Sequence, residues 1–140
     1  MSEASRRENF KRKAGTRHFA GIPDVMIESD SFRELSANAV RLLLLFAYQY
    51  RGNNNGDLSA PLSFTENWGI LSSATLSKTL KELQAANLIL KTRDPTRNRS
   101  SPHGQCALYA LTWQSIDECK GKHDCNPTRT PPRKFSQESK

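Results

Sequence analysis

The chain has 140 residues, a formal net charge of +7 and 36% hydrophobic residues. This length predicts one domain with tails, because the hydrophobic fraction is low for a chain that packs along its whole length. The apolar runs are too short to span a bilayer, so no membrane partner is predicted. The cysteines are odd in number, Cys106, Cys119 and Cys125, and no export signal is found. We therefore expect reduced thiols and a cytoplasmic location.

The positive charge is concentrated in three parts of the chain. Residues 1–21 and residues 120–140 each carry six basic and two acidic residues, as do residues 72–105. Such segregation favours a nucleic acid as partner. We predict a disordered basic arm over residues 1–21, a folded domain over residues 22–119, and a disordered, basic, proline-containing tail over residues 120–140.

The first long predicted helix follows an extended stretch at residues 21–27 and a helical turn at residues 30–35. It runs over residues 37–51, with Ser36 as its N-cap and Gly52 as the residue that ends it. Because residues 42–46 are apolar almost all round, we expect this helix to be buried on more than one face.

Two further helices are predicted after an asparagine-rich turn and a very short strand at residues 57–60. The first covers about residues 63–68 and ends at Gly69. The second begins after Ser72 or Ser73 and ends at Asn87, a residue type that tolerates the left-handed conformation. Its buried face is predicted from apolar residues at helical spacing, namely Leu76, Leu80 and Leu83.

A β-hairpin is predicted next. Residues 88–93 form its first strand and residues 106–113 its second, joined by a loop of about ten residues. A last helical turn is expected at residues 114–119. The order of elements predicts an α+β, mostly helical fold, a winged helix-turn-helix with a three-helix core and a hairpin wing. This fold places its third helix in the DNA major groove and its wing along phosphates.

The third helix carries most of the candidate DNA-binding residues. Hydroxyl groups near its start and lysines on its outer face can reach phosphates or base edges. The alternative is an ordinary solvated face of an amphipathic helix. The candidates are Ser73, Ala74, Thr75, Ser77, Lys78 and Lys81.

The wing supplies the other candidates, Arg93, Arg97, Arg99 and His103. Arginine suits phosphate contact or insertion into a narrow minor groove. The alternative is a flexible basic loop without a partner. Either basic tail can add salt-dependent affinity, or can be a solvated chain end.

Metal binding and catalysis are not predicted. Cys119, His123 and Cys125 have C-x₃-H-x-C spacing, which departs from the paired ligands of zinc sites. No cofactor motif or catalytic constellation is found, so we predict a protein that is not an enzyme. Trp68 and Trp113 are assigned to packing.

Several segments together carry a family resemblance. They are residues 35–43, the turn that leads to Gly56, residues 74–83, residues 109–113 and residues 116–119. They resemble small winged-helix proteins of proteobacterial phages, prophages and plasmids, over roughly residues 22–135. The resemblance implies a winged-helix fold associated with DNA and implies no particular target.

The predicted function is sequence-specific binding of double-stranded DNA, with transcriptional regulation on a phage, prophage or plasmid as its use. The alternative is a protein–protein interaction module of the same fold, such as a phage-borne inhibitor of a host protein or a recruiter of a replication partner. A homodimer is common for this fold and would bind inverted half-sites, although no coiled-coil heptad marks an interface.

Overall fold

The computed structural model describes residues 18–98, 101–135 and 138. Within them the chain is α+β and mostly helical, which confirms the coarse fold class. The helices are α1 (Asp24–Ile27), α2 (Asp30–Arg33), α3 (Ala37–Gln49), α4 (Leu62–Thr65) and α5 (Ser73–Ala85), with 3₁₀ turns at Glu66–Trp68 and Cys119–Gly121. The strands are β1 (Ile89–Arg93), β2 (Thr96–Asn98), β3 (Ser101–Gln105) and β4 (Leu108–Leu111). None of the described helices is long and apolar enough to cross a bilayer.

Helix α3 is central to the core. The Ser36 hydroxyl caps it by accepting from the Ala39 amide at 3.2 Å. Leu42, Leu43 and Phe46 are almost fully buried, and each contributes roughly 2 kcal/mol through loss of apolar surface to water. The helix ends at Gln49, two residues before the predicted end, because Tyr50 is extended.

The Asn54 side chain helps to end helix α3. The Asn54 side chain accepts from the Arg51 amide at 2.8 Å and donates to the Gln49 carbonyl at 2.9 Å. These side-chain contacts with the backbone compete with continuation of the helix.

The predicted second helix is formed by α4 and the 3₁₀ turn after it. It starts at Leu62 after Pro61, and its last turn tightens at Glu66–Trp68. Gly69 then has φ 90°, a left-handed conformation that redirects the chain into α5.

Helix α5 confirms most of its predicted boundaries. Ser72 is the N-cap and accepts from the Thr75 amide at 3.2 Å. Asn87 ends the turn that follows with φ 55°. The buried face differs in one position, since Leu76, Thr79 and Leu83 are buried and Leu80 is only partly so.

The hairpin is longer than predicted. Strands β1 and β4 pair antiparallel, and Leu58 forms an isolated antiparallel bridge with Tyr109, which confirms strand-like pairing in the segment at residues 57–60. The connection predicted as a ten-residue loop contains a second antiparallel ladder, β2 with β3. Turn-forming residues alone do not reveal such a ladder, because Pro95, Pro102 and Gly104 are poor strand formers.

Buried Asn55 fastens the turn after α3 to the end of β4. Its amide nitrogen donates to the carbonyls of Leu111, Gln114 and Ser115 at 2.9–3.2 Å. Its carbonyl oxygen accepts from the Leu111 amide at 2.7 Å. A fully buried side chain with four hydrogen bonds fixes the position of β4 relative to α3.

Residues 120–135, called the C-terminal segment below, correct the predicted domain boundary. They pack on the domain, although a disordered tail was predicted from residue 120. Backbone amides of Asp124, Thr128 and Arg133 each donate at 2.9 Å, to the carbonyls of Thr92, Ile116 and Thr112. Phe135 is buried in the core. Of the arm predicted over residues 1–21, residues 1–17 lie outside the described residues.

Arg133 is the main anchor of the C-terminal segment. One guanidinium nitrogen donates to the carbonyls of Ala86 and Asn87, just after α5, at 2.8 and 3.0 Å. Another bonds the Ser31 hydroxyl at 2.9 Å, and the Glu138 carboxylate pairs with the same group. A cation at the end of a helix satisfies its last carbonyls and complements its dipole.

Three smaller predictions also need correction. Residues 24–27 form helix α1, although an extended stretch was predicted, because Asp24 and its neighbours make a single turn closed on Pro23. The last helical turn lies at Cys119–Gly121, later than predicted. Trp113 packs in the core as predicted, but Trp68 is 49% exposed.

Candidate nucleic-acid interface

The outer face of α5 is the candidate interface. Leu76, Thr79 and Leu83 hold the opposite face in the core, so the outer face projects away from the domain. Five of the predicted residues are exposed on it, namely Ser73, Ala74, Ser77, Lys78 and Lys81. These residues combine short side chains, which let a helix approach closely, with two long cations.

Thr75 differs from the other candidates on α5. It is half-buried, and its hydroxyl accepts from the Ser72 hydroxyl at 2.9 Å. Its carbonyl also accepts from the Thr79 hydroxyl at 2.7 Å. Thr75 therefore stabilises the first turn of α5, and it is less suited than Ser73 or Ser77 to contact an external ligand.

A groove of about 360 Å³ separates α5 from the hairpin. Ser73, Ser77 and Lys81 line one side of it, and Lys91 and Cys106 line the other. Lys78 and Ala74 do not line the groove, so α5 presents one lysine toward the hairpin and one away from it. The two lysines can thus reach different parts of one bound surface.

Lys91 was missed as a site residue in the sequence. It is partly exposed on β1 and lies 3.6 Å from the Asp94 carboxylate. Its position opposite Tyr109 in the strand register turns it toward the groove beside Lys81. The sequence shows a lysine in the first predicted strand. Which side of the hairpin it lies on depends on the register of β1 with β4, which the sequence does not give.

Arg93 has a structural role. Its guanidinium donates to the Cys106 carbonyl at 2.8 Å and to the Lys122 carbonyl at 3.1 Å, which ties β1 to the end of the hairpin and to the C-terminal segment. Its Nε is buried without a partner among the described residues. The guanidinium is therefore engaged with the backbone, and its contact with a phosphate stays a prediction.

Two of the remaining wing candidates, Arg97 and His103, lie in the far part of the hairpin. Arg97 belongs to β2 and His103 to β3, but the side chains of both lie outside the described residues, as does Arg99 altogether. The structure thus brings Lys81 and Lys91 to opposite sides of one groove, with Lys78 exposed on the outer face of α5. Contacts of Arg97, Arg99 and His103 with DNA stay a prediction.

Two ionisable groups have raised pKa values, Tyr109 in the groove and Cys119 outside it. Burial, together with the charges of Asp94 and Cys106, raises the pKa of Tyr109. Burial also raises the pKa of the Cys119 thiol, with further contributions from Asp57 and Asp117. A protonated thiol is a poor nucleophile and a poor metal ligand.

The cysteine–histidine segment has a packing role. His123 is buried against Gly56; its Nδ1 accepts from the Cys125 amide at 3.2 Å, which leaves Nε2 to donate to the Asp117 carbonyl at 2.6 Å. In the part of the chain that the structure describes, no three His, Cys, Asp or Glu side chains are placed to hold a metal ion. Both ring nitrogens of His123 are used in fastening the C-terminal segment.

No protein-family model matches the chain, and neither a curated protein nor a solved structure matches it. The resemblance to phage and plasmid proteins therefore stays a prediction from the residues that carry it.

Proposed function

We propose that the chain is a winged helix-turn-helix protein that binds double-stranded DNA and regulates transcription on a phage, prophage or plasmid. The order of elements supports this assignment. Helix α4 with its 3₁₀ extension, the left-handed Gly69 and α5 have the order of a helix-turn-helix, and the β1–β4 hairpin follows as the wing.

The exposed face of α5 is the observation that carries the proposal. The helix has 13 residues and is about 20 Å long, and an α-helix, about 10–12 Å across with its side chains, fits the major groove, which is about 12 Å wide. Short side chains at Ser73, Ala74 and Ser77 allow close approach to base edges. Lys78 and Lys81 then lie where phosphates or guanine edges come within reach.

The hairpin adds a second contact region. Lys91 lies across the groove from Lys81, so a phosphate backbone that crosses the mouth of the groove meets cations from both elements. Arg97, Arg99 and His103 extend this contact along the hairpin in the proposed pose. They position the protein on the duplex, and α5 supplies the sequence readout.

The test is a fluorescence-anisotropy titration of the full chain with labelled duplexes from the DNA that flanks its own gene, repeated at several salt concentrations. We expect Lys78→Ala and Lys81→Ala each to weaken binding and to reduce the slope of log affinity against log salt by about 0.9 if each lysine contacts one phosphate. Arg33→Ala is the control, because Arg33 is an exposed cation on α2 and is not among the predicted DNA-binding residues.

The wing is tested separately with the double variant Arg97→Ala, Arg99→Ala. Loss of two phosphate contacts should reduce the same slope by about 1.8. If the lysine variants of α5 and this double variant all bind as tightly as the unaltered chain and show its salt slope, the proposed pose is wrong.

A protein–protein interaction module is the second candidate function. It is favoured by large apolar side chains at the surface, among them Leu44, Tyr48 and Trp68, each about half exposed. A partner of this kind can be a host protein or a replication protein. This candidate predicts that the full chain shows no sequence preference among duplexes and no effect of Lys78→Ala or Lys81→Ala.

A further inference from the structure

The solvent-facing side of α3 carries large apolar side chains that the rest of the domain does not cover. Leu44 and Tyr48 are 48% and 47% exposed, and they lie one turn apart on the same stripe. Arg41 continues the stripe by one turn toward the start of the helix. Its guanidinium lies against Gly69, which places the half-exposed Trp68 at the edge of this stripe. We call Arg41, Leu44, Tyr48 and Trp68 the α3 face.

The two ends of α3 have opposite charge. Glu34 is exposed just before the helix begins, and the Glu82 carboxylate accepts from both the amide and the hydroxyl of Ser36 at 2.7 Å. At the other end Arg51 is held against the Tyr48 and Tyr50 carbonyls, with its guanidinium 5.3 Å from the centre of the Tyr48 ring. The α3 face is thus flanked by carboxylates, Glu34 and Glu82, at the start of the helix and by Arg51 at its end.

We propose that the α3 face binds a second copy of this chain, with the two α3 helices antiparallel about a twofold axis near Leu44. This arrangement is self-complementary, as a twofold interface must be. The two Leu44 side chains meet at the axis, and Arg41 faces the partner's Tyr48, where a cation–π contact can form. Arg51 at the end of each α3 lies opposite Glu34 at the start of the other α3.

The dimer is expected to be weak. With 13 residues, α3 is about 20 Å long, so a single helix pair with its flanks buries less than the roughly 1,600 Å² of a standard interface. Association in the micromolar range fits such a surface. The inference does not depend on DNA binding, since it is carried by α3 and not by α5.

The experiment is sedimentation velocity on the full chain, from micromolar to near-millimolar concentration. We expect a reversible shift from monomer to dimer. Leu44→Glu places two like charges at the axis and should leave only monomer, and Tyr48→Ala should raise the dissociation constant at least several-fold. Leu71→Glu is the control, because Leu71 is 73% exposed but lies before α5. Circular dichroism spectra of the variants check that each is folded.

A charge exchange tests the orientation. Arg51→Glu should weaken the dimer, and Arg51→Glu combined with Glu34→Arg should restore it, because the pairing is the same with its charges reversed. A chain that stays monomeric at all concentrations overturns the proposal. So does a dimer that tolerates Leu44→Glu, or one in which the double exchange brings no recovery.

Discussion

Replacing Asn55 with alanine is predicted to be among the most damaging single changes in a polar residue of this domain. The side chain makes four hydrogen bonds, three as donor and one as acceptor, and it is fully buried. Its loss leaves the Leu111 amide buried without its acceptor, which costs about 1–3 kcal/mol. The two hydrogens of the NH2 group, shared among three carbonyls, are also lost, at about 0.5–1.5 kcal/mol each where water cannot replace them.

These contributions give an expected loss of about 2–6 kcal/mol, a large part of the 5–15 kcal/mol that holds a typical domain folded. The assay is urea unfolding followed by far-UV circular dichroism and by tryptophan fluorescence, with buried Trp113 as the probe close to β4. Asn53→Ala is the control, because Asn53 is exposed in the same turn, and it should change stability by less than about 0.5 kcal/mol.

Asn55→Asp distinguishes the contribution of the side-chain oxygen, which accepts, from that of the NH2 group, which donates. Aspartate keeps an acceptor for the Leu111 amide but turns an oxygen toward three carbonyls. We expect it to be at least as destabilising as alanine at neutral pH, with partial recovery in acid, where the protonated carboxyl supplies one donor. A loss below about 1 kcal/mol for Asn55→Ala would refute the reasoning.

Three other predictions concern stability and use the same unfolding assay. Gly56→Ala should cost more than Gly52→Ala, because both residues have positive φ but only at Gly56 would the added Cβ lie 2.7 Å from an imidazole nitrogen; equal losses would contradict this. Leu83→Ala should cost roughly 2–5 kcal/mol and Leu80→Ala clearly less, because only Leu83 is fully buried; the reverse order would mean that the core face of α5 is misassigned. A hydrogen bond from Arg133 lowers the pKa of Glu138. The stability that this ion pair contributes is therefore present at a pH above the ordinary carboxyl pKa, and it is lost as the pH falls through the lowered pKa. The difference between the unaltered chain and Glu138→Gln should therefore be greatest at neutral pH and vanish in strong acid, and a difference that persists in acid would exclude this linkage.

The elements that could be predicted are those determined by neighbouring residues. Ser36 and Ser72 cap α3 and α5 as expected, and Asn87 ends the turn after α5 in the left-handed conformation. Each of these assignments needs only a few adjacent residues, because a capping side chain bonds an amide three positions away. The two main strands were predicted for the same reason, from short apolar runs bounded by turn residues.

The C-terminal segment could not be predicted, because distant partners determine its structure. Its composition is polar and rich in proline, which is typical of disordered chains. Phe135 is its one large apolar anchor in the core, and the rest is held by hydrogen bonds to carbonyls of Thr92, Thr112 and Ala86. Carbonyl groups have no signature in a sequence.

The candidate site was predicted in part for similar reasons. The exposed face of α5 follows from helical periodicity alone, so Lys78 and Lys81 were correctly placed on the outer face. Arg93 and Lys91 are two residues apart on β1, and charge does not distinguish them. Only the register of β1 with β4 and the position of the Lys122 carbonyl show which of the two cations is engaged by the backbone.

The anchoring of Arg133 to the end of α5 has a consequence for how the domain is made. Residues 124–135 follow Thr92 and α5 in the chain, so during synthesis the Thr92 carbonyl and the end of α5 are made before the groups that bind them. Until then the outer edge of β1 lacks the amide that covers it, and an uncovered strand edge can pair with another chain. Nascent copies on neighbouring ribosomes are thus most exposed to mispairing before residues 124–135 emerge.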